Sequence, residues 1–516
     1  MRADLPTVRN SKARRGWRIA PLLLGALAAP AWAATPISID VTTLADRTAA
    51  DGQCSLREAI ALVNAGDQPL GDEPGGCRIE QGAAVSRIGV APGLTSGGPA
   101  VLAIAGATLD IAAPLHLEGS GRDLVTLEGD GHTRLFLVAA GIPGNVTFSG
   151  LTLAQGDAVD DGRFFRVGGA IRALSPLVLD HVRVAGTTGG SGVAVESTSL
   201  DVSDTEFIHN DGAVEVLGHV PDPSLHAPSQ ASIRRSQFLE NGVGLRVLGV
   251  QNQPQESHAE LIDSMFSRNT MSAIVATWTS FDLVSSTLSD NNLDSAAGGI
   301  SASHSTVHVA NSTISGNTGQ QAGAILLIAS IVELVNSTIA GNIATSGIGD
   351  SIAAHIEAGR DNNRVTAVNT ILTSRNTACD TTPPLPLRGS GNILASDDGD
   401  DASCLADAGV ARQMTMQELK LAGLAGNGGP TPTRALLAGS PAIDAGVAGC
   451  PAADQRGSAR SGACDIGSFE AAAIPAGNSA QTMPVPSDGN GGVPPTVLLA
   501  GMLAGLARRR LAAGHV

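Results

Sequence analysis

An asparagine recurs through the middle of this sequence with the same companions each time, and that recurrence limits the fold more than any other feature. Aligned on Asn210, Asn241, Asn269, Asn291, Asn317 and Asn342, successive segments stand 31, 28, 22, 26 and 25 residues apart. Eight residues before each Asn stand Val202, Ile233, Leu261, Leu283, Val309 and Leu334, and three before it Phe207, Phe238, Phe266, Leu288, Ile314 and Ile339. Both columns are wholly apolar. The column five before is all hydroxyls: Thr205, Ser236, Ser264, Ser286, Ser312 and Ser337. Two earlier segments keep the apolar columns at Phe148 and Leu153 and at Leu179 and Val184.

Units of twenty to thirty residues made of short alternating pieces can bury an apolar face only against the next unit, which describes a solenoid. Leucine-rich repeats need a fixed leucine grammar, and helical repeats need about 33 to 47 residues of helical period; neither is present. The reading is therefore all-β: a right-handed parallel β-helix whose coils each hold three short strands and one turn free to lengthen. The recurring Asn is expected at a left-handed corner, its amide bonded to the Asn stacked on it. Coils near 4.8 Å apart predict about ten to twelve of them in a rod of roughly 50 to 60 Å. An open solenoid end exposes apolar surface and unpaired strand edges. Ser55 and Glu58 form a capping box opening a helix whose Leu56, Ile60 and Leu62 or Val63 can cover the first coil.

Both ends of the chain read as processing segments. Residues 1–33 carry six basic residues, the apolar stretch Ile19 to Ala29, and Ala31, Trp32, Ala33, the layout of a secretory signal peptide. Its removal takes away six positive charges and Asp4, moving the net charge from -16 to -21. At the other end, a linker over 471–495 leads into the apolar run Thr496 to Ala507 and then Arg508, Arg509 and Arg510. That order suits a sorting tail, and it is the only expected membrane contact. The domain reading is signal peptide 1–33, N-terminal cap 34–100, β-helix repeats 101–378, C-terminal module 379–470, linker 471–495 and sorting tail 496–516.

The stretch Cys54, Ser55, Leu56, Arg57, Glu58, Ala59, Ile60 resembles the signature of bacterial CSLREA-domain surface proteins. Asn427 to Thr433, Gly439 to Gly446 and Cys464 to Glu470 resemble the choice-of-anchor Q module. Gly168 to Ile171, with the Phe-x-x-Asn units at Phe207, Phe238 and Phe266, is similar to polymorphic outer-membrane-protein repeats. The resemblance implies an exported, surface-associated β-helix, and implies no reaction.

Six cysteines follow the signal: Cys54, Cys77, Cys379, Cys404, Cys450 and Cys464. An even number in an exported chain argues disulfides. Locality pairs 54 with 77, 379 with 404 and 450 with 464. The spacings lack the C-x-x-C grammar of a metal site. Asp397, Asp398, Gly399, Asp400 and Asp401 could gather oxygens for calcium, but they lack the spacing and closing Glu of an EF-hand and read as a solvated loop. The best catalytic candidate is the column six before the Asn, namely Asp204, Arg235, Asp263, Ser285, Asn311 and Asn336. It sets carboxylates beside an Arg on neighbouring coils, as a polysaccharide lyase would require.

Composition weighs against such an enzyme. There is no Tyr, Trp278 is the single Trp after residue 33, and the Lys are Lys12 and Lys420. The net charge of -16 disfavours nucleic acid and polyanionic glycans. The sequence thus reads as an exported cell-surface or outer-membrane-associated monomer acting in adhesion or extracellular interaction. Its partner is an extracellular protein or glycan, and no cofactor or metal is called for. The alternatives are a carbohydrate-active enzyme, lyase or glycoside hydrolase, and a passive surface spacer.

Overall fold

A computed structural model describes residues 37–472, apart from 67–75, 78–84, 105, 159–165, 219–226, 252–256, 292–294, 356–362, 376, 380–386, 402 and 405–409. The proposed signal peptide and sorting tail lie outside the described residues. The described strands form three long parallel sheets. Wall A has 13 strands beginning at Ile37–Val41, wall B has 13 beginning at Ala100–Ile104, and wall C has 10 beginning at Leu109–Ile111. A coil runs from Ser199–Ser203 on A to Glu206–Ile208 on B and Gly212–Leu217 on C. It then returns to A at Gln230–Arg234, which pairs in parallel with Ser199–Ser203. The protein is a parallel β-helix. Thirteen strands about 4.8 Å apart make wall A about 58 Å long.

The apolar columns point inward as their period-two placement demands. Val202, Ile233, Leu261, Leu283, Val309 and Leu334 are all at most 1% exposed, and Phe207, Phe238 and Phe266 are fully buried. Those three rings stack at centroid distances of 4.8 and 4.1 Å. The hydroxyl column is buried too, and each member does the same work. Ser264 Oγ accepts the backbone N–H of Ser236 one coil earlier (3.2 Å) and donates to the carbonyl of Ile262 (2.8 Å).

Two details differ from the sequence reading. From Val146–Ser149 to Arg364–Val368 the A-to-B corner is always two residues, whereas both other corners lengthen. The fixed corner is where the chain is most constrained, since its first residue is left-handed and its second is buried, Leu151 and Val182 on the first two of these coils and a hydroxyl from Thr205 onward. The left-handed conformation falls at Asp204, Arg235, Asp263, Ser285, Asn311, Asn336 and Asn369, with φ between 44 and 53°. The recurring Asn is not the left-handed residue at the B-to-C corner either. That role belongs to its predecessor: His209, Glu240, Arg268, Asp290, Gly316 or Gly341. Turning one residue earlier sends the Asn side chain inward, where it forms a ladder. Asn241 Oδ1 accepts from the backbone and amide nitrogens of Asn210 (3.1 and 2.9 Å), while its own amide donates to Phe207 O and Asn269 Oδ1.

The coils also outrun the boundaries drawn from sequence. Ile37–Val41 and Val85–Val90, inside the assigned cap, are wall A strands, and walls A and B continue past residue 378 through Leu387–Ser390 and Ala411–Thr415. The cap helix is Leu56–Ala65, with both halves of the Ser55–Glu58 box formed and Leu56, Ile60, Leu62 and Val63 buried. Beyond Thr415 come a short helix, Met416–Leu419, and an antiparallel hairpin, Leu421–Ala425 with Thr433–Leu436. This C-terminal segment packs on wall B, where Leu419, Leu436, Ala442 and Ile466 close over Ile371, Ile393 and Ala395.

Candidate functional site

The column offered as catalytic splits into two halves. Toward the N-terminal end it is solvent-facing. Arg235 donates to both oxygens of Asp204 (2.9 and 2.6 Å), and that pairing holds the Asp204 carboxyl below the usual Asp range. Asp263, half-buried, is pushed up by desolvation, with Arg235 pulling weakly the other way. Asp180, His181 and Asp204 bring potential metal-ligand atoms within 4.8 Å of one another. Those atoms are already engaged: Asp180 Oδ1 accepts from Ser203 Oγ (2.6 Å) and meets His181 Nδ1 (2.9 Å), and Asp204 is held by Arg235. This half holds one ion pair, Asp204–Arg235, with His181 against Asp180 beside it and Asp263 outside any pair among the described residues.

Toward the C-terminal end the same column is covered. Ser285 O accepts from Thr431 Oγ1 (3.0 Å), Asn311 Nδ2 donates to Ala453 O (2.8 Å), Asn336 Nδ2 to Asp465 O (3.1 Å) and Asn369 Nδ2 to Val447 O (2.9 Å). The adjoining outward position of wall B follows suit. Glu206, Gln237 and Met265 remain at least partly open, whereas Thr287, Thr313 and Thr338 are at most 1% exposed beneath the C-terminal segment. Thr287 Oγ1 donates to Pro432 O, and Thr313 Oγ1 donates to Gln455 Oε1, each at 2.6 Å. The change from Asp and Arg to Asn along the column marks where the chain folds back on itself. Trp278 does not join this column. It occupies the C-to-A corner, at the far end of the wall A strand Ser280–Val284 from Ser285.

All three expected disulfides are formed: Cys54–Cys77 at the cap helix, Cys379–Cys404 beside the last coils and Cys450–Cys464 in the C-terminal segment. Three disulfides suit an oxidising compartment. The acidic run 397–401 does not converge. Asp401 turns inward, accepting from Ser374 Oγ and Ala378 N, while Asp398 Oδ1 accepts from Ser396 Oγ and Asp400 N.

A buried cluster of charge that sequence reasoning missed lies on the outer face of wall C. Arg172 donates to Glu196 (2.7 and 3.4 Å), and one coil on, Arg246 pairs with Glu215. The strand register sets Arg172, Ala194, Glu215 and Arg246 in one outward column with Glu196 two residues along. Outward positions on a solenoid usually meet water. Here Arg172, Glu196 and Glu215 are 6, 3 and 6% exposed. Val167 packs with Ala194, Leu217 and Leu248 of the same wall, and Arg134 holds the Val167–Gly168 backbone down through its carbonyls (3.1 and 2.9 Å). Ser191 links cluster and segment, its hydroxyl accepting from Gly168 N (3.1 Å) and donating to Glu215 (3.2 Å), so the cluster helps fasten this segment to the rod.

Desolvation raises the Glu215 carboxyl above the usual Glu range, with Arg246 and Ser191 offsetting part of it. A carboxyl whose folded value exceeds its unfolded one binds its proton more tightly when folded. Its contribution to stability therefore falls as pH rises from about 4.3 through the raised value. Glu215→Gln removes this proton, and the expected result is a flatter profile of urea midpoint between about pH 4 and pH 7 than the parent shows. Loss of the Arg246 ion pair shifts the whole profile, so the slope is the readout; equal slopes would refute the assignment.

No family model matches the sequence, and no curated protein matches it. Among solved structures the chain is similar to tailspike protein 3 of bacteriophage CBA120, at 10% identity and a TM-score of 0.31, over 60% of this chain and 56% of the tailspike. It is also similar to a DFA-IIIase from Arthrobacter chlorophenolicus A6, solved in complex with GF2, at 12% identity and a TM-score of 0.31, over 69% of this chain and 93% of the enzyme. The chain thus spans little more than half the length of the tailspike. The parallel strand register, not these likenesses, is the ground for the fold.

Proposed function

We propose that this chain is an exported, surface-associated β-helix of the CSLREA and choice-of-anchor Q kind, and that it works by binding an extracellular protein or glycan. The observation that carries this reading is the fate of the one column suited to catalysis. In its N-terminal half Arg235 is committed to Asp204, and its C-terminal half anchors the segment that closes over wall B. A disulfide-stapled rod with its first coil covered by a helix fits an extracellular setting, and its long rigid walls fit recognition. The deciding experiment exposes the purified protein to uronate and neutral polysaccharides with calcium, following unsaturated products and reducing ends. Binding without turnover is expected. Turnover abolished by Asp204→Ala or Asp263→Ala would establish the lyase or hydrolase alternative instead.

The sorting tail supports a second test. Deleting Thr496 to Val516 should release folded protein into the medium, because a linker rich in Pro and Gly separates the tail from the last folded segment and an Arg cluster follows its apolar run. Truncated protein that stays with cells, or that fails to fold, would refute the anchoring role.

A further inference from the structure

We infer that Trp278 and His304 form a stacking platform for a neutral sugar ring at the C-to-A corner; this rests on the binding function proposed above and gives it a site. The two rings lie on neighbouring coils, 3.9 Å apart between centroids and 19° from parallel. Both residues hold left-handed backbone, Trp278 at φ 54° and His304 at φ 50°. That conformation is disfavoured for a bulky residue, yet it belongs to the corner itself, since Ser197 and Ala329 hold it at the same position on other coils. Glycine is free of that strain, and one coil earlier the same corner position is Gly249. A corner glycine leaves no side chain of that column on the indole face turned away from His304.

Polar groups stand beside the platform on wall A. Two residues past Trp278, Ser280 Oγ meets His258 Nδ1 at 2.8 Å, and His258 Nε2 lies 3.6 Å from Asp282 Oδ2. All three are partly exposed and sit on rigid paired strands in exact register, His258 opposite Ser280. An apolar aromatic face next to a fixed hydroxyl, imidazole and carboxylate is the combination that takes a pyranose: its C–H face stacks on the ring, and its hydroxyls bond the polar groups. Charge selects the class of sugar. The outward column there reads Glu260, Asp282, His308 and Glu333, with Arg234 paired to Glu260, so three carboxylates stand against one guanidinium and a uronate meets net negative charge where a neutral hexose does not.

The chain supplies its own reporter. With no Tyr in the sequence, full-length protein carrying Trp17→Phe and Trp32→Phe has Trp278 as its single strong fluorophore. The probes are neutral hexasaccharides of glucose, mannose, galactose and xylose, with hexagalacturonate as the anionic comparison. At least one neutral probe should shift and saturate the Trp278 emission, with the uronate at least tenfold weaker. Trp278→Gly, which also relieves the left-handed strain, should weaken binding of that probe at least tenfold by calorimetry while wall stacking, read by circular dichroism, is retained. Trp278→Phe should keep part of the affinity. If a glycan or protein binds and Trp278→Gly binds it equally, the platform is wrong while the binding function stands. If none of the neutral probes binds the parent protein, the platform fails, while binding of a protein partner is untouched by that result.

Discussion

Asn269→Ala should destabilise the protein by about 3 to 5 kcal/mol, far more than a polar-to-alanine change on a coil surface. Asn269 is fully buried, and its Oδ1 accepts both the backbone N–H and the side-chain amide of Asn241 (3.1 Å each). Its amide donates to Phe238 O (3.1 Å) and Asn291 Oδ1 (2.7 Å). Alanine leaves the Asn241 N–H without its acceptor in a dry interior, and it takes a donor from Phe238 and Asn291. Each buried group left unsatisfied costs about 1 to 3 kcal/mol. Arg268→Ala, one residue away, removes only an exposed ion pair to Glu240 and should cost about 1 kcal/mol or less. Urea unfolding followed by circular dichroism compares the two. Because a solenoid is held by nearest-neighbour interfaces, the Asn269 variant should open first at the coils on either side of it, visible as lost hydrogen-exchange protection there. An Asn269→Ala midpoint equal to that of Arg268→Ala would show that the ladder contributes nothing special.

The second large effect is expected on wall C. Arg172→Met takes from Glu196, whose side chain is 2% exposed, the guanidinium that donates to both its oxygens. Breaking a buried pair from one side costs about 3 to 5 kcal/mol, because the remaining charge stays desolvated. The double variant Arg172→Met with Glu196→Leu should recover most of that loss, since apolar replacements of similar size restore packing against Leu217 and Leu248 without stranding a charge. The same pair of variants reports on the covering segment. Arg172→Met should raise protease sensitivity near Val167, and the double variant should reverse it. A double variant as unstable as the single one would mean that the packing of Arg172, not its charge, holds the segment.

Much of this architecture was legible in the chain. The inward columns could be read because a strand alternates with period two and every coil must repeat the alternation to stack on its neighbour. Val202 to Leu334 and Phe207 to Ile339 therefore align whatever the turns do. The capping box at Ser55 and Glu58 is local, spanning three residues, and the disulfide pairs were set by proximity along the chain. Sequence order alone fixed these features, because each depends on neighbours one turn or one coil away.

The outer surfaces were decided elsewhere. Alternation shows that Arg172, Glu196, Glu215 and Thr287 point away from the core, and Asn311 stands on an outer corner, but pointing outward does not mean meeting water. Whether an outward residue is exposed depends on where distant chain returns. Pro432 lies over Thr287, 145 residues away in sequence, and Ala453 over Asn311, 142 residues away. A signal was present in the column itself, which passes from Asp204, Arg235 and Asp263 to Asn311, Asn336 and Asn369. A charge can be left to solvent at little cost, whereas a covered position needs a neutral group able to bond a backbone. The repeat determined the core; only the folded-back chain determined which parts of the rod's outer surface are closed and which remain open to solvent.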